Sequence, residues 1–250
     1  RDCLLSRGLG DVYKRQIYNP QNDKLSGAEA LIRWNCSKYG FMGPDKFIPL
    51  LEESALIIPL GRWIIDTAAK ACNRWITNIP DFVMHINLSF VQIVKSNIIK
   101  DVLERIGRYS AANNHYVFEI TETIEMDRIP AVERVFKEFI KNDFRLAIDD
   151  FGTGYSNYGY MRDKIFDIVK VDRSFITDID KQRNNYLMVS FIIKMAHEMG
   201  LHVCIEGVET KEELACVREL GADYIQGYYY GKPVCVADFE EQHLKKLILG

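Results

Sequence analysis

The sequence predicts an α/β protein built as a TIM-like (β/α)8 barrel. Short apolar runs recur along the chain, each ending in a polar or ionisable residue, and helical periodicity follows almost every one. Their terminal residues, Asn87, Glu119, Asp149, Lys170, Glu206 and Gln226, are spaced by 32, 30, 21, 36 and 20 residues, the scale of one strand-plus-helix unit. Chemistry-bearing side chains therefore close nearly every strand, as a barrel mouth requires. A doubly wound open sheet gathers its ligands at a single switch point instead.

The elements follow in chain order. Residues 1–16, RDCLLSRGLGDVYKRQ, show neither helical nor strand periodicity and lack an initiator Met. They look like the adaptor-derived tail found at broken ends of open reading frames, and are read as a non-native or disordered tail ahead of a domain spanning 17–250. The eighth strand should precede Glu29, which makes the first strand partly foreign. GAEALIRW, Gly27 to Trp34, reads as a buried strand with one carboxylate, Glu29. An ionised carboxylate buried alone is costly, so something cationic has to meet it. Between Glu29 and Asn87 no strand is evident, only a short helix after Pro44 and a longer one reaching about Trp75. Strands follow in FVMHINLS, YVFEITE, RLAIDD, DIVKVD, HVCIEGVE and DYIQG. Among the intervening helices, AVERVFKEFIKN starts at Ala131, and NYLMVSFIIKMAHEMG closes with Gly200 as its C-cap.

Composition sets the limits. The chain has 250 residues, 48% hydrophobic and 27% charged, with no low-complexity tract or Pro/Gly/Ser linker to mark a second domain. A formal net charge of −3 argues against a nucleic-acid polymer as partner, so a phosphate-bearing ligand must be met by local cations. No apolar stretch approaches the roughly 18 residues of a membrane span, and no leader is recognisable. A cytoplasmic protein, or the cytoplasmic domain of a larger one, is the expectation. Cys3, Cys36, Cys72, Cys204, Cys216 and Cys235 are scattered without metal-ligand spacing and read as reduced thiols. His85 shares a strand face with Asn87 but reads as a hydrogen-bonded core histidine in preference to a site residue.

The strand-end residues carry the chemistry. Glu29, Asn87, Glu119, Asp149, Asp150 and Glu206 offer five carboxylates and one amide carbonyl. Hard oxygen donors without Cys or His select Mg²⁺ or Mn²⁺ over zinc. So many carboxylates stay ionised at one mouth only beside cations, and Glu29 is accordingly expected to be a metal ligand. The adjacent Asp149 and Asp150 suggest two ions, with one carboxylate bridging, a device suited to in-line attack on a phosphodiester. DDFGTGYS then runs into a loop where Gly152 and Gly154 allow close backbone approach, a weak signal by itself.

The motifs EALIRW, NLS, EITE, DDFGTGYS, KVDRSF, EGVE and QGYYYGKP stand in this order between about Ile17 and the C-terminal helix. By them the chain resembles the EAL domain family, phosphodiesterases of the bacterial second messenger cyclic di-GMP. The resemblance implies that the first strand is antiparallel. It implies one metal held by Glu29, Asn87, Glu119 and Asp149, and a second among Asp149, Asp150 and Glu206. Arg33, Lys170 and Gln226 would contact phosphate or the attacking water, Glu122 would brace the DDFGTG loop, and Glu209 would support the site from behind. Asn157 departs from the family, which repeats a serine there. The implied reaction is metal-assisted hydrolysis of one phosphodiester bond of cyclic di-GMP to linear pGpG. Either Glu206 or Lys170 is open as proton acceptor, with Lys170 favoured as an orienting cation. A homodimer through the helix after DDFGTGYS, and an upstream GGDEF, sensory or transmembrane segment, belong to the same implication. The main rival is a receptor that binds cyclic di-GMP without cleaving it, and the full ligand set weighs against it. An enolase-like proton abstractor and a signalling scaffold complete the alternatives.

Overall fold

The computed structural model describes residues 11–36, 40–121, 129–153, 163 and 165–244. Strand β1 (Asp11–Asn19) turns back into β2 (Lys24–Cys36), and the two pair antiparallel from Asp11 opposite Arg33 to Asn19 opposite Lys24. A three-residue strand, β3 (Gly40–Met42), pairs with the far end of β2. Parallel strands β4 (Val83–Asn87), β5 (Tyr116–Thr121), β6 (Arg145–Phe151), β7 (Ile168–Val171), β8 (His202–Glu206) and β9 (Tyr224–Gln226) then continue the sheet from β2. β9 meets β1 antiparallel at Tyr18 and Ile225, which closes an eight-stranded barrel with β1 as its single reversed member. The antiparallel first strand implied by the resemblance is therefore present.

Around the barrel pack helices α1 (Pro44–Glu53), α2 (Ile57–Trp75), α3 (Phe90–Lys95), α4 (Ile98–Ile106), α5 (Pro130–Lys141), α6 (Arg183–Glu198), α7 (Lys211–Glu219) and the short α8 (Val236–Phe239). Their sequence logic is local. Pro130 sits in the first turn of α5, where its missing N–H costs nothing, and Val132, Phe136 and Phe139 then fall on one buried stripe. Burying each such Phe contributes about 2–3 kcal/mol relative to exposure. Past α6, Gly200 takes φ +76° while the Leu201 N–H donates to the Ala196 carbonyl, so the glycine stops the helix as expected. No helix among the described residues is long and apolar enough to cross a membrane.

Strands with helices outside and a lumen inside are buried on both faces, which explains continuous runs such as Ile168–Val171. Inside the lumen the two-residue period stacks side chains in layers. Ile17, Val117, Ala147, Ile168 and Cys204 form a compact apolar plug. Two residues further along β5, β6, β7 and β8 come Glu119, Asp149, Lys170 and Glu206. The plug thus forms an apolar floor beneath a polar mouth.

Three features differ from expectation. β3 lies in the stretch read as strandless; it is too short to show a period, and it extends β2 outside the barrel. Because β2 continues to that hairpin, Glu29 sits mid-strand rather than at a strand end. Finally, Asp11–Gln16, the last six residues of the segment read as a tail, are strand in this structure. Backbone pairing with Glu29–Arg33 and Ala28 orders them although their side chains carry no apolar alternation.

Candidate active site

Seven strands deliver one side chain each to the mouth: Glu29 from β2, Asn87 from β4, Glu119 from β5, Asp149 from β6, Lys170 from β7, Glu206 from β8 and Gln226 from β9. Their backbones are in register, Asn87 beside Glu119 and Glu206 beside Gln226. Lys170 lies at the centre, 1% exposed. Its Nζ is 2.7 Å from Glu206 Oε1, 2.8 Å from Glu119 Oε2, 2.9 Å from Asp149 Oδ1 and 3.9 Å from Glu29 Oε2. Here is the cation that makes a buried Glu29 tolerable within the protein itself. Glu29 also accepts hydrogen bonds from Asn87 Nδ2 at 2.7 Å and Gln226 Nε2 at 2.5 Å. Both amides thus spend their N–H groups on Glu29, which keeps their carbonyl oxygens available as acceptors.

Adjacent residues on a strand normally face opposite ways, so a site using both Asp149 and Asp150 needs a break in the pleat. The structure supplies it. The β6–β7 register shifts between Ile148 and Phe151, and Asp150 adopts φ +53°, a left-handed conformation that Asp tolerates. One oxygen each from Asp149, Asp150 and Glu206 then lies within 4.8 Å of the others. Gly152 follows with φ +99°, and a Cβ there would come within 2.6 Å of the Phe175 ring, so only glycine fits this turn.

The electrostatics are those of a pocket with more negative charge than its cations neutralise. Burial alone would lower the Lys170 pKa, but Asp149, Glu119, Glu206 and Glu29 outweigh it and hold the ammonium well above the ordinary lysine value. Burial pushes Glu119 well up despite Lys170, raises Glu206 to about 7, and with Asp149 raises Asp150 to about 6. For Glu29 burial is overcome by Lys170, by the Gln226 and Asn87 hydrogen bonds and by Arg15, and its pKa falls to about 2. His85, buried beneath the mouth, has Nδ1 at hydrogen-bond distance from Glu119 Oε1, 2.7 Å, and burial with Lys170 lowers its pKa to about 3, so the ring is neutral.

These residues fit divalent cations. Asp149 Oδ1, although 2.9 Å from Lys170 Nζ, is buried outside hydrogen-bond geometry, and Gln226 Oε1 is likewise buried without a hydrogen-bond partner. An all-oxygen set with orphaned acceptors and carboxyls driven to hold protons is what a hard dication relieves.

A family model described as EAL domain matches residues 8–233, nearly the whole chain. The chain belongs to the EAL domain family. The bifunctional diguanylate cyclase/cyclic di-GMP phosphodiesterase MucR of Pseudomonas aeruginosa is 30% identical over 94% of this chain and 34% of its own length. The probable cyclic di-GMP phosphodiesterase PdeG of Escherichia coli is 30% identical over 95% of this chain and 46% of its own. This EAL domain thus spans between a third and a half of these relatives. The structure of the PaMucR phosphodiesterase in its c-di-GMP complex superposes on it with a TM-score of 0.88 at 28% identity, covering 96% of this chain and 97% of that one.

The remaining predicted residues of the EAL domain divide. Arg33 lies four residues beyond Glu29 on the same face of β2, half-buried, with Nη1 donating to the Ile32 carbonyl at 2.9 Å. Glu209 has an exposed side chain, and its backbone N–H donates to Glu213 Oε2 at 2.8 Å. Glu122, Asn157 and the DDFGTGYS loop from Gly154 onward lie outside the described residues. Sequence reasoning missed Glu213, which is buried and, with Thr210, caps α7 and ties down the loop after EGVE. The Thr-Lys-Glu-Glu pattern is a capping-box signature that marks it. It also missed Arg15, which stands opposite Glu29 in the β1–β2 register with its guanidinium 5.6 Å from the Tyr228 ring centre. No local pattern reveals Arg15, because its placement follows from the pairing of the two strands.

Proposed function

We propose that this EAL domain hydrolyses cyclic di-GMP to linear pGpG with the help of two divalent cations, Mg²⁺ or Mn²⁺. The observation that carries the reading is the mouth itself: five carboxylates and two amides converge around Lys170, and Asp149 Oδ1 is left without a hydrogen bond. Glu29, Asn87, Glu119 and Asp149 would hold one ion, and Asp149, Asp150 and Glu206 the other. Such ions supply Lewis acidity towards the phosphoryl oxygens and lower the pKa of water.

The protein's own groups do the rest. Arg33 at the rim meets phosphate charge, and Gln226, fixed through Glu29, presents its carbonyl towards water or phosphate. Lys170 is held protonated by its carboxylates, which suits an orienting cation and not a base. Of the two groups open as proton acceptor, Glu206 is the better suited, since a carboxylate can take a proton where a charged ammonium cannot. Glu122 bracing the DDFGTG loop, Glu209 supporting from the EGVE loop, a homodimer and an upstream regulatory or GGDEF segment belong to the same proposal.

The test is purified chain with Mn²⁺ and cyclic di-GMP, products separated by chromatography. Conversion to pGpG is expected, and Glu29→Ala should abolish most of it. Stoichiometric binding of cyclic di-GMP that remains intact over long incubation would replace the enzyme reading with the receptor one.

A further inference from the structure

In the layer two positions below the mouth, His85 stands among an apolar plug and Tyr224. Ile17, Val117, Ala147, Ile168 and Cys204 make the plug, and His85 stands beside Val117 in the β4–β5 register and opposite Glu29 in the β2–β4 register. The imidazole is 3% exposed. A buried polar ring in such a layer needs a partner. His115, by contrast, satisfies its Nδ1 with the Phe82 backbone carbonyl at 2.8 Å, as a structural histidine commonly does. His85 instead places Nδ1 2.7 Å from Glu119 Oε1.

That choice matters because of what holds the other oxygen. Glu119 Oε2 lies 2.8 Å from Lys170 Nζ, and Lys170 is shared with Asp149 and Glu206. The lysine is a flexible four-carbon arm with several suitors. The imidazole is a rigid ring on a central strand, packed among plug residues, and its hold on Oε1 does not compete with the mouth above. Glu119 is therefore clamped from below by one oxygen, with the other turned into the mouth.

We propose that His85 is a positioning residue for metal binding: its Nδ1–H fixes Glu119 through Oε1 and so presets Oε2 towards the cation. The proposal rests on the two-cation reading of the mouth. Partners of this kind, behind a metal-ligating carboxylate, typically change metal affinity about 10- to 100-fold when removed.

Two substitutions separate positioning from packing. His85→Leu keeps an apolar volume close to the ring and removes the donor. His85→Asn places an amide N–H near the position of Nδ1 and retains it. Mn²⁺ affinity, read by calorimetry on the purified chain without nucleotide, should weaken about tenfold or more in His85→Leu and stay within about threefold in His85→Asn. Nitrogen NMR of the labelled parent should show His85 as the Nδ1–H tautomer, with its signal shifting when Mg²⁺ is added. That measurement decides the matter even if His85→Leu fails to fold. Equal Mn²⁺ affinity in His85→Leu and parent, loss as great in a folded His85→Asn, or an Nε2–H tautomer overturns the assignment of His85 alone. A parent that binds no Mn²⁺ overturns the two-cation reading with it.

Discussion

Replacing Lys170 by Met would leave Glu29, Glu119, Asp149 and Glu206 facing one another with their shared cation gone. The three contacts at 2.7–2.9 Å are each worth about 6 kcal/mol gross at an effective dielectric constant of about 20. Desolvation of the four groups offsets most of that. Removing one partner of a buried ionic cluster costs about 3–5 kcal/mol net. At about 2–4 °C per kcal/mol for a chain of this size, Lys170→Met should melt about 10 °C below the parent at about pH 8 in chelator. Two conditions should shrink the deficit. Saturating Mn²⁺ supplies positive charge in the lysine's stead. Acid does so as well: Glu206 and Asp150, with pKa values raised to about 7 and about 6, take up protons as the pH falls below those values, and the repulsion is relieved. Differential scanning calorimetry at about pH 8 and about pH 5.5, with and without Mn²⁺, reads all four cases. An equal deficit in all four would refute the electrostatic account and make Lys170 a packing residue. In turnover, Lys170→Arg should outperform Lys170→Met and keep the parent's pH profile. Both variants dead yet still binding Mn²⁺ and cyclic di-GMP would restore a neutral-lysine base.

Lys14 is fully buried on the outer face of β1, its ammonium donating to the Val12 carbonyl, and burial lowers its pKa from 10.5 to about 8. Its desolvation weakens the fold below about pH 8 and is relieved as the pH rises through 10.5. Lys14→Leu should therefore raise the melting temperature by about 3–8 °C at neutral pH and by less at about pH 10, and an unchanged value would contradict it. Asp223 accepts from His197 Nε2 at 2.8 Å and lies 3.3 Å from His202 Nδ1, tying the end of α6 to β8 and β9. Its pKa is lowered to about 2 and that of His202 is raised, so the pair stabilises most between about pH 4 and the ordinary histidine pKa, fading as His202 deprotonates above and Asp223 protonates below. Urea titration of Asp223→Asn should show a cost of about 1 kcal/mol near pH 6, after discounting for exposure, and a smaller one near pH 9; a cost independent of pH would count against the pair. Ca²⁺, with longer bonds and more ligands, should bind the acidic mouth and permit nucleotide binding without hydrolysis. Full turnover in Ca²⁺ with Mg²⁺ and Mn²⁺ excluded would defeat the two-cation proposal.

Most of the mouth was legible because β4 to β9 are buried on both faces. Each is written as an apolar run whose next lumen-facing residue is polar, and the run locates the residue. What escaped depends on partners distant in sequence. β1 shows no apolar alternation because two of its buried outer residues, Lys14 and Gln16, are polar, with only Val12 apolar on that face before them. Lys14 pairs with Val234, and Gln16 meets His243, some 227 positions away. Asp150 reaches the mouth only through a register shift and a left-handed backbone, and neither is written in a hydrophobic period. His85 is the buried, hydrogen-bonded histidine that the sequence suggested, but its partner was not legible, because a strand pattern gives the layer of a residue and not which carboxylate lies above it.

The reversed direction of β1 has an architectural consequence. The six parallel strands after β2 run from the floor of the barrel to its mouth, whereas β1 runs downward, from Asp11 at the level of Arg33 to Asn19 at the level of Lys24. Asp11 therefore stands at the rim, level with Arg33 and on the side of the carboxylates, and not on the far side. In the fold's plumbing the top of the reversed strand and the acidic pocket share one end.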